Sequence, residues 1–402
     1  MKIGFVVEIF YPERNGVVTT TINLARNLID LGHEVWFFVP ENKGFTEPAI
    51  ENGIHIYYVK GLPVPLYPGM KIPTEGYYSL IEAVKSIGID IIHGTTPGFL
   101  GRFMNHVAAM CDIPVLATHH TLIDEPQYVK YVVKVDPLVV PASKIVWNDI
   151  YKPYFRRVWI ATAPAEHTCQ SLRDHIPDLD VRFVSNGIDV SRFEERKEKV
   201  PYPQSIPADW IGRKTLIYVG RLGFEKSVDE IFNAFQKVLE SVPDAKLICI
   251  GGGPAEDGLK AIIKEKNLSD SIVMTGLVPN ETIIGSRILN ASGAFVTAST
   301  TENQAMTVIE ALCSSLPVVC ADVPNMTAIV GKDMGWFFKA HDLDDLASTM
   351  IKALTDGTRD EKAHNAYLSR ERYDGRNVAL SFIEIYKELL QRKKDGWRPK
   401  DW

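Results

Sequence analysis

The chain has 402 residues, 46% of them apolar and 23% charged, with a formal net charge of −6, enough for two globular domains that each bury a core. Through residue 200 there are 20 Lys and Arg against 23 acids, and 24 against 27 beyond it, so neither half is basic and nucleic acid is not the expected partner. No run of 18 apolar residues exists to span a membrane, and Glu8 interrupts the apolar start "MKIGFVVEIF", which does not read as a signal peptide.

In chain order, the apolar run Ile3 to Val7 is followed by a loop, a helical pattern from Val17 to Leu31 closed by Gly32, and a second apolar run "HEVWFFVP". Strand, helix and strand of these lengths make a βαβ unit with a right-handed crossover. The alternation continues through "IDIIHGTTPG" and "IPVLATHH". A Pro-rich stretch of low periodicity, Lys199–Lys214, is the expected linker. A second series follows: strand "TLIYVG", helix Lys226–Leu239, strand "AKLICIGGG", helix Gly258–Lys266, strands "SIVMTG" and "GAFVTA", helix Gln304–Cys313 and strand "PVVCA". Short, continuously apolar, β-branched strands predict parallel sheets buried on both faces. The expected class is α/β, with two doubly wound domains: 1–198, and 199–375 with a C-terminal helix, about 376–402, packing back on the first. Five cysteines (111, 169, 249, 313, 320) form no CxxC pair and read as buried thiols of a cytoplasmic protein, with no metal site expected.

In such sheets ligands bind beyond the carboxyl ends of the strands, so the loops there hold the candidates. Arg221 and Lys226 follow "TLIYVG". They are either two solvated charges or a pair converging on a diphosphate, because a cation at a helix start opposes the macrodipole unless an anion offsets it. Gly16, ahead of the first helix, and the "GGGP" turn at Gly251–Pro254 permit close backbone approach, each a weak signal by itself. His119 and His120 end a strand, as structural hydrogen-bonders or as ligand contacts, with Asp124, Glu125 and Tyr128 in the loop beyond. Thr301 with Gln304 fits a capping box, which places a helix start at Glu302 or Asn303. Glu310 then lies about 12 Å along that helix and roughly 80° round from Glu302. The two acids are too far apart to share an ion. They are spaced to grip two hydroxyl-bearing parts of one extended ligand, with Glu310 pointing to water as the alternative.

Taken in order, the Gly16 loop, "DIIHGTTPG", "THHT", "VSNGID", "YVGRLGFEK", "GGGP", "TGLVPNE" and "ENQAMTVIE" resemble the retaining GT-B glycosyltransferases of family 4 along nearly the whole chain. The last segment is similar to that family's Glu-x7-Glu motif. The resemblance implies two Rossmann-like domains facing a cleft, and a hexosyl transfer from a nucleotide sugar with no metal and no cofactor. It implies Glu302 on hydroxyls of the transferred hexose, Glu310 on the ribose, Arg221 and Lys226 on the leaving diphosphate, and His120 on the sugar from the other domain. Backbone at Asn303, Gln304, Ala305 and Met306, with Gly16, Gly252 and Val278, completes the implied donor set. Three positions depart from the family pattern: Ala305 and Ser315 each stand where the family has Gly, and Asn15 replaces the first of a Gly–Gly pair.

"IIHGTTPGFLG" and "THHTLIDEPQYVKY" most resemble the branch that glycosylates diacylglycerol and related lipids, including sulfoquinovosyl transferases. "VWNDIYKPYFRRVWI" interleaves aromatics with Lys152, Arg156 and Arg157, and the tail "RKKDGWRPKDW" does likewise, a pattern suited to an anionic membrane interface or, alternatively, to core packing and a frayed end. The expected function is transfer of a hexose, UDP-glucose favoured as donor, to a membrane lipid, by a protein peripheral to the inner face of the membrane. The alternatives are a soluble sugar or polyol acceptor, or a catalytically silent binder of nucleotide sugars.

Overall fold

Ile3, Phe5 and Val6 are buried because β1 (Lys2–Val6) runs through the middle of a parallel sheet covered on both faces. A computed structural model describes residues 1–10, 16–42, 53–64, 69–120, 136–193 and 201–402. It forms two units, Met1–Asp189 together with Asp374–Trp402, and Val190–Tyr373.

In the first unit β1 is followed by α1 (Gly16–Asp30), β2 (Glu34–Pro40) and β3 (Ile54–Val59). A short antiparallel pair, β4 (Gly61–Pro63) and β5 (Lys71–Pro73), leads to α2 (Tyr77–Ile87), β6 (Ile91–Gly94), α3 (Phe99–Met110) and β7 (Val115–Thr118). Then α4 (Asp136–Ile145) passes through a π-helical turn, Val146–Tyr151, into α5 (Lys152–Phe155), β8 (Ile160–Ala163), α6 (Glu166–His175) and β9 (Val181–Phe183). The seven-stranded parallel sheet has the order β3-β2-β1-β6-β7-β8-β9. The order reverses between β1 and β6, the switch point at which doubly wound sheets open a ligand crevice.

The second unit repeats the plan with β10 (Thr215–Val219), α7 (Val228–Ser241), β11 (Lys246–Ile250), α8 (Glu256–Glu265), β12 (Ile272–Met274), α9 (Asn280–Gly285) and α10 (Ile288–Ala291). It continues with β13 (Ala294–Val296), α11 (Met306–Cys313), β14 (Val318–Ala321), α12 (Pro324–Thr327), β15 (Gly335–Phe338), α13 (Leu343–Thr355) and α14 (Arg359–Leu368). Its sheet, also parallel, runs β12-β11-β10-β13-β14-β15 and reverses between β10 and β13. On α7, Val228, Ile231, Phe232, Phe235 and Val238 recur at three- and four-residue steps and are buried, each such side chain contributing about 1.5–3 kcal/mol.

The final helix, α15 (Gly375–Lys394), packs on α1 of the first unit and buries Phe382, Tyr386 and Leu389. The second unit begins at Val190, ahead of the Pro-rich stretch expected as linker. That stretch is folded in: Ile206 and Trp210 are buried, and the Trp210 carbonyl accepts the Thr215 hydroxyl. The acidic run "DLDD" also has a structural use, since Asp342 caps α13 by accepting from the Asp344 and Asp345 amides.

Candidate active site

Both strands at the second unit's switch point end in charged loops. After β10 comes Arg221, exposed and paired with the buried carboxylate of Glu225. A 3₁₀ turn, Phe224–Lys226, then precedes α7, with Ser227 in the left-handed region (φ 49°) between them, so the helix expected from Lys226 starts two residues later. The Arg221 loop is clasped by "GGGP": the Leu222 amide donates to the Gly252 carbonyl at 3.0 Å and Ala255 donates to the Leu222 carbonyl at 2.9 Å. Gly251 has φ 148°, and a Cβ there would lie 1.8 Å from the Gly220 carbonyl oxygen, so the turn admits only glycine. The glycine signal thus has a structural reason, backbone approaching backbone.

After β13 comes Glu302, and here the helix start expected at Glu302 or Asn303 is overturned. Residues 297–305 form a loop, and α11 begins at Met306 with Ala305 as its N-cap and no side-chain cap. The side-chain amide of Asn325 is the physical reason. It donates to the carbonyls of Thr300 (3.3 Å) and Glu302 (2.6 Å), holding in a loop the backbone that a capping box would have wound. Glu302 and Glu310 are therefore not on one helix. The Glu302 carboxylate meets the Lys226 ammonium at 2.5 Å, both largely shielded, which joins the two charged loops of the switch point. Asn303 and Gln304 lead from that ion pair to the uncapped first turn of α11, whose amides suit an anion.

Glu310, on α11, has a different holder. The Asn280 side-chain amide nitrogen donates to both of its oxygens at 3.2 and 3.3 Å, and Arg192 donates to the Asn280 side-chain Oδ1 at 2.6 Å and to the Glu281 carboxylate at 2.8 Å. Burial pushes the Glu310 carboxyl above its ordinary value, while the Asn280 bond and the Arg192 charge pull it back. Each oxygen keeps a lone pair for a further donor, which suits two vicinal hydroxyls. Val278 lies two residues before Asn280, in a half-buried loop position. Asn280, Arg192 and Asn325 escaped sequence reasoning. Asn280 stands in the quoted "TGLVPNE", but nothing local marks it as the holder of an acid 30 residues on.

In the first unit Gly16 opens α1, and Asn15 lies outside the described residues, as do Asp124, Glu125 and Tyr128. His119 and His120 follow β7. His119 is buried edge-on against Tyr151 and Phe155, its ring 5.2 and 5.4 Å away, and its amide donates to the Thr162 carbonyl at 2.7 Å. Burial pulls the His119 imidazole down to about 3 and His120 to about 4, so both are neutral at pH 7. Glu8, after β1, is 1% exposed. Its Oε1 accepts the Gly101 amide at 2.6 Å at the start of α3, and burial pushes its carboxyl up to about 8.

Arg156 and Arg157 lie in a groove of about 660 Å³ whose lining includes Arg102, His106, Tyr77 and Phe103 and neither His119 nor His120. Arg157 donates to His106 and to the Asp401 carbonyl, and Arg156 lies 3.5 Å from the Asp401 carboxylate. The aromatics expected at a membrane interface are core instead: Tyr151, Tyr154, Phe155 and Trp159 are buried. The tail is not frayed either. Trp397 and Trp402 close on Trp159, each 5.2 Å between ring centres, and Arg398 grips Asp112 through two bonds of 2.6 and 2.7 Å. Among the described residues no helix is long and apolar enough to cross a membrane.

Known families match both units. Residues 14–192 fit the model described as Glycosyltransferase Family 4, and residues 210–369 fit Glycosyl transferases group 1. Alpha-monoglucosyldiacylglycerol synthase of Streptococcus pneumoniae (strain ATCC BAA-255 / R6) is 27% identical over 398 residues, 97% of this chain and 86% of that protein. The enzyme of the same name from Acholeplasma laidlawii is 26% identical over 409 residues, 98% of each chain. Anabaena Alr3699/HepE in complex with UDP-glucose superposes with a TM-score of 0.72 at 15% identity, over 96% of this chain and 100% of the other. With its two switch-point loops and these relatives, the chain belongs to family 4 of the GT-B glycosyltransferases.

Proposed function

We propose that this protein transfers a hexose from a nucleotide-diphosphate sugar, UDP-glucose favoured, to a membrane lipid such as diacylglycerol, with retention of anomeric configuration and without a metal. The observation that carries the donor half is the Lys226–Glu302 ion pair, which sets a cation for the leaving diphosphate against an acid for the hexose hydroxyls. Arg221, on the same loop, and the uncapped turn at Met306 add positive potential as charge develops on the phosphate. Glu310, held by Asn280, takes the ribose hydroxyls. With the leaving phosphate so neutralised, its own oxygen accepts the proton of the acceptor hydroxyl on the same face as the bond that breaks, and no dedicated base of the glycosidase kind is needed. His120, kept neutral by burial, offers a hydrogen bond to the sugar.

The lipid half is supported by the two relatives named for alpha-monoglucosyldiacylglycerol, which is a glucose in α linkage on diacylglycerol. The complex of the Anabaena neighbour favours UDP-glucose. The arginines of the groove, with the exposed Leu138, Val140 and Ile145 of α4, suit peripheral attachment to anionic lipid on the cytoplasmic face. The test is incubation with UDP-glucose, UDP-galactose or GDP-mannose and diacylglycerol vesicles in EDTA, with NMR of the product. An α-linked glucolipid formed undiminished in EDTA is expected. A β linkage, a need for metal, or transfer only to soluble sugars would overturn the corresponding part.

A further inference from the structure

The first sheet is buried on both faces, yet behind the two histidines it carries a row of polar side chains. His93 Nδ1 lies 2.8 Å from the Tyr386 hydroxyl, its Nε2 lies 2.7 Å from Thr118 Oγ1, and Thr118 Oγ1 lies 2.7 Å from Thr162 Oγ1. All four residues are 3% exposed or less. Their groups satisfy one another only in a matched order, because a neutral imidazole donates from one nitrogen and accepts at the other. Burial keeps His93 neutral and holds the Tyr386 proton in place. An apolar set of the same volume would fill these places without desolvating any polar group, so packing alone does not account for the row.

What the row touches gives it a use. Thr118 directly precedes His119, whose amide is fixed to the Thr162 carbonyl, so the row pins the backbone from which His120 projects. A cavity of about 20 Å³ lies against it, lined by His93, Thr95, Thr118, Asn186 and His120. That is room for one water, beside the Thr118 hydroxyl, the Asn186 side chain and the His120 ring, within the two to four polar partners a buried water needs. The far end of the row is on α15, the helix that returns from the second unit to the first.

We propose that Tyr386 and His93 are positioning residues for His120: the row Tyr386–His93–Thr118–Thr162, joined to His120 by one water in the adjoining cavity, sets the orientation and tautomer of the His120 ring. This rests on the assignment of His120 to the sugar site made above, and the readouts separate the two. Tyr386→Phe removes one hydroxyl and keeps the ring, and His93→Gln keeps a donor and an acceptor where His93→Leu keeps neither. Long-range ¹H–¹⁵N spectra report the imidazole nitrogens, with the His120 signals identified by their absence in His120→Asn.

In Tyr386→Phe the His120 nitrogens are expected to shift, while the thermal shift given by UDP matches the parent's. The kcat falls about tenfold, the worth of one hydrogen bond, with acceptor KM within about twofold. His93→Gln should recover activity that His93→Leu loses. Unchanged His120 signals in Tyr386→Phe, or a loss of rate that follows only the folded fraction, overturns the proposal. If the parent transfers no hexose at all, the functional reading fails, and the spectra still decide whether the row controls His120.

Discussion

The two glutamates of the proposed donor site have unlike holders. Glu302 is held by a charge, Lys226, and Glu310 by a neutral amide, Asn280, itself anchored on Arg192. A charged partner near the bond that breaks contributes most when phosphate charge develops, whereas a neutral holder of the ribose contact acts equally in ground and transition states. Asn280→Ala should therefore raise donor KM about tenfold and leave kcat within about twofold, and Glu302→Gln should lower kcat by about a hundredfold. Steady-state kinetics with varied nucleotide sugar checks both. A fall in kcat with unchanged KM in Asn280→Ala would show that Glu310 has no ground-state role.

At the level of elements, two of the three positions where family glycines are replaced, Ala305 and Ser315, lie among the described residues and behave oppositely. Ala305, beside the expected phosphate, has φ −74°, an ordinary value that any residue adopts, so its Cβ imposes no backbone cost. Ser315, just past α11, sits at φ 57°, where an L side chain is strained and glycine is not. Ser315→Gly should raise stability by about 1 kcal/mol, and Ala305→Gly should be neutral or lower it through gain of unfolded-state entropy. Denaturant titration of the two variants separates the cases, and destabilisation by Ser315→Gly would show that its hydroxyl outweighs the strain.

The strands were legible because runs such as "TLIYV" and "KLICI" admit little else, and the switch-point loops followed from them. The Glu302 loop was not, since Thr301 and Gln304 satisfy a capping box on paper while Asn325, more than 20 residues on, decides otherwise. Arg192 reaches Asn280 across 88 residues of sequence, a distance at which no local pattern speaks. The aromatics of Val146–Ile160 stayed undecided for a related reason: their spacing fits an interface and a core alike, and only the surrounding sheet distinguishes the two.

Buried titratable groups govern the stability of the whole chain from opposite sides. Unfolded, Glu8 loses its proton near 4.5, and folded it keeps it to about 8. The stability it contributes is complete below pH 4.5 and is lost as pH rises toward 8, at up to about 1.4 kcal/mol per unit. His93, His119 and His120 have folded values of about 3, 3 and 4 against 6.5 unfolded, so the stability they hold is complete above 6.5 and is lost as pH falls. The melting temperature should peak near pH 6.5, and Glu8→Gln should flatten the alkaline side while leaving the acid side intact. Parallel curves for parent and variant above pH 6.5 would show that Glu8 is not the group responsible.

The return of α15 to the first unit also sets an order of birth. A ribosome releases residues 1–189 long before residues 374–402, at roughly 5–20 residues each second, so the first unit waits through the whole synthesis of the second. Throughout that wait His93 and the apolar bed of Phe382, Tyr386 and Leu389 have no covering helix. The second unit, continuous from Val190 to Tyr373, can close while the first is still open. The second unit is thus able to mature first, and α15, made after it, completes the first.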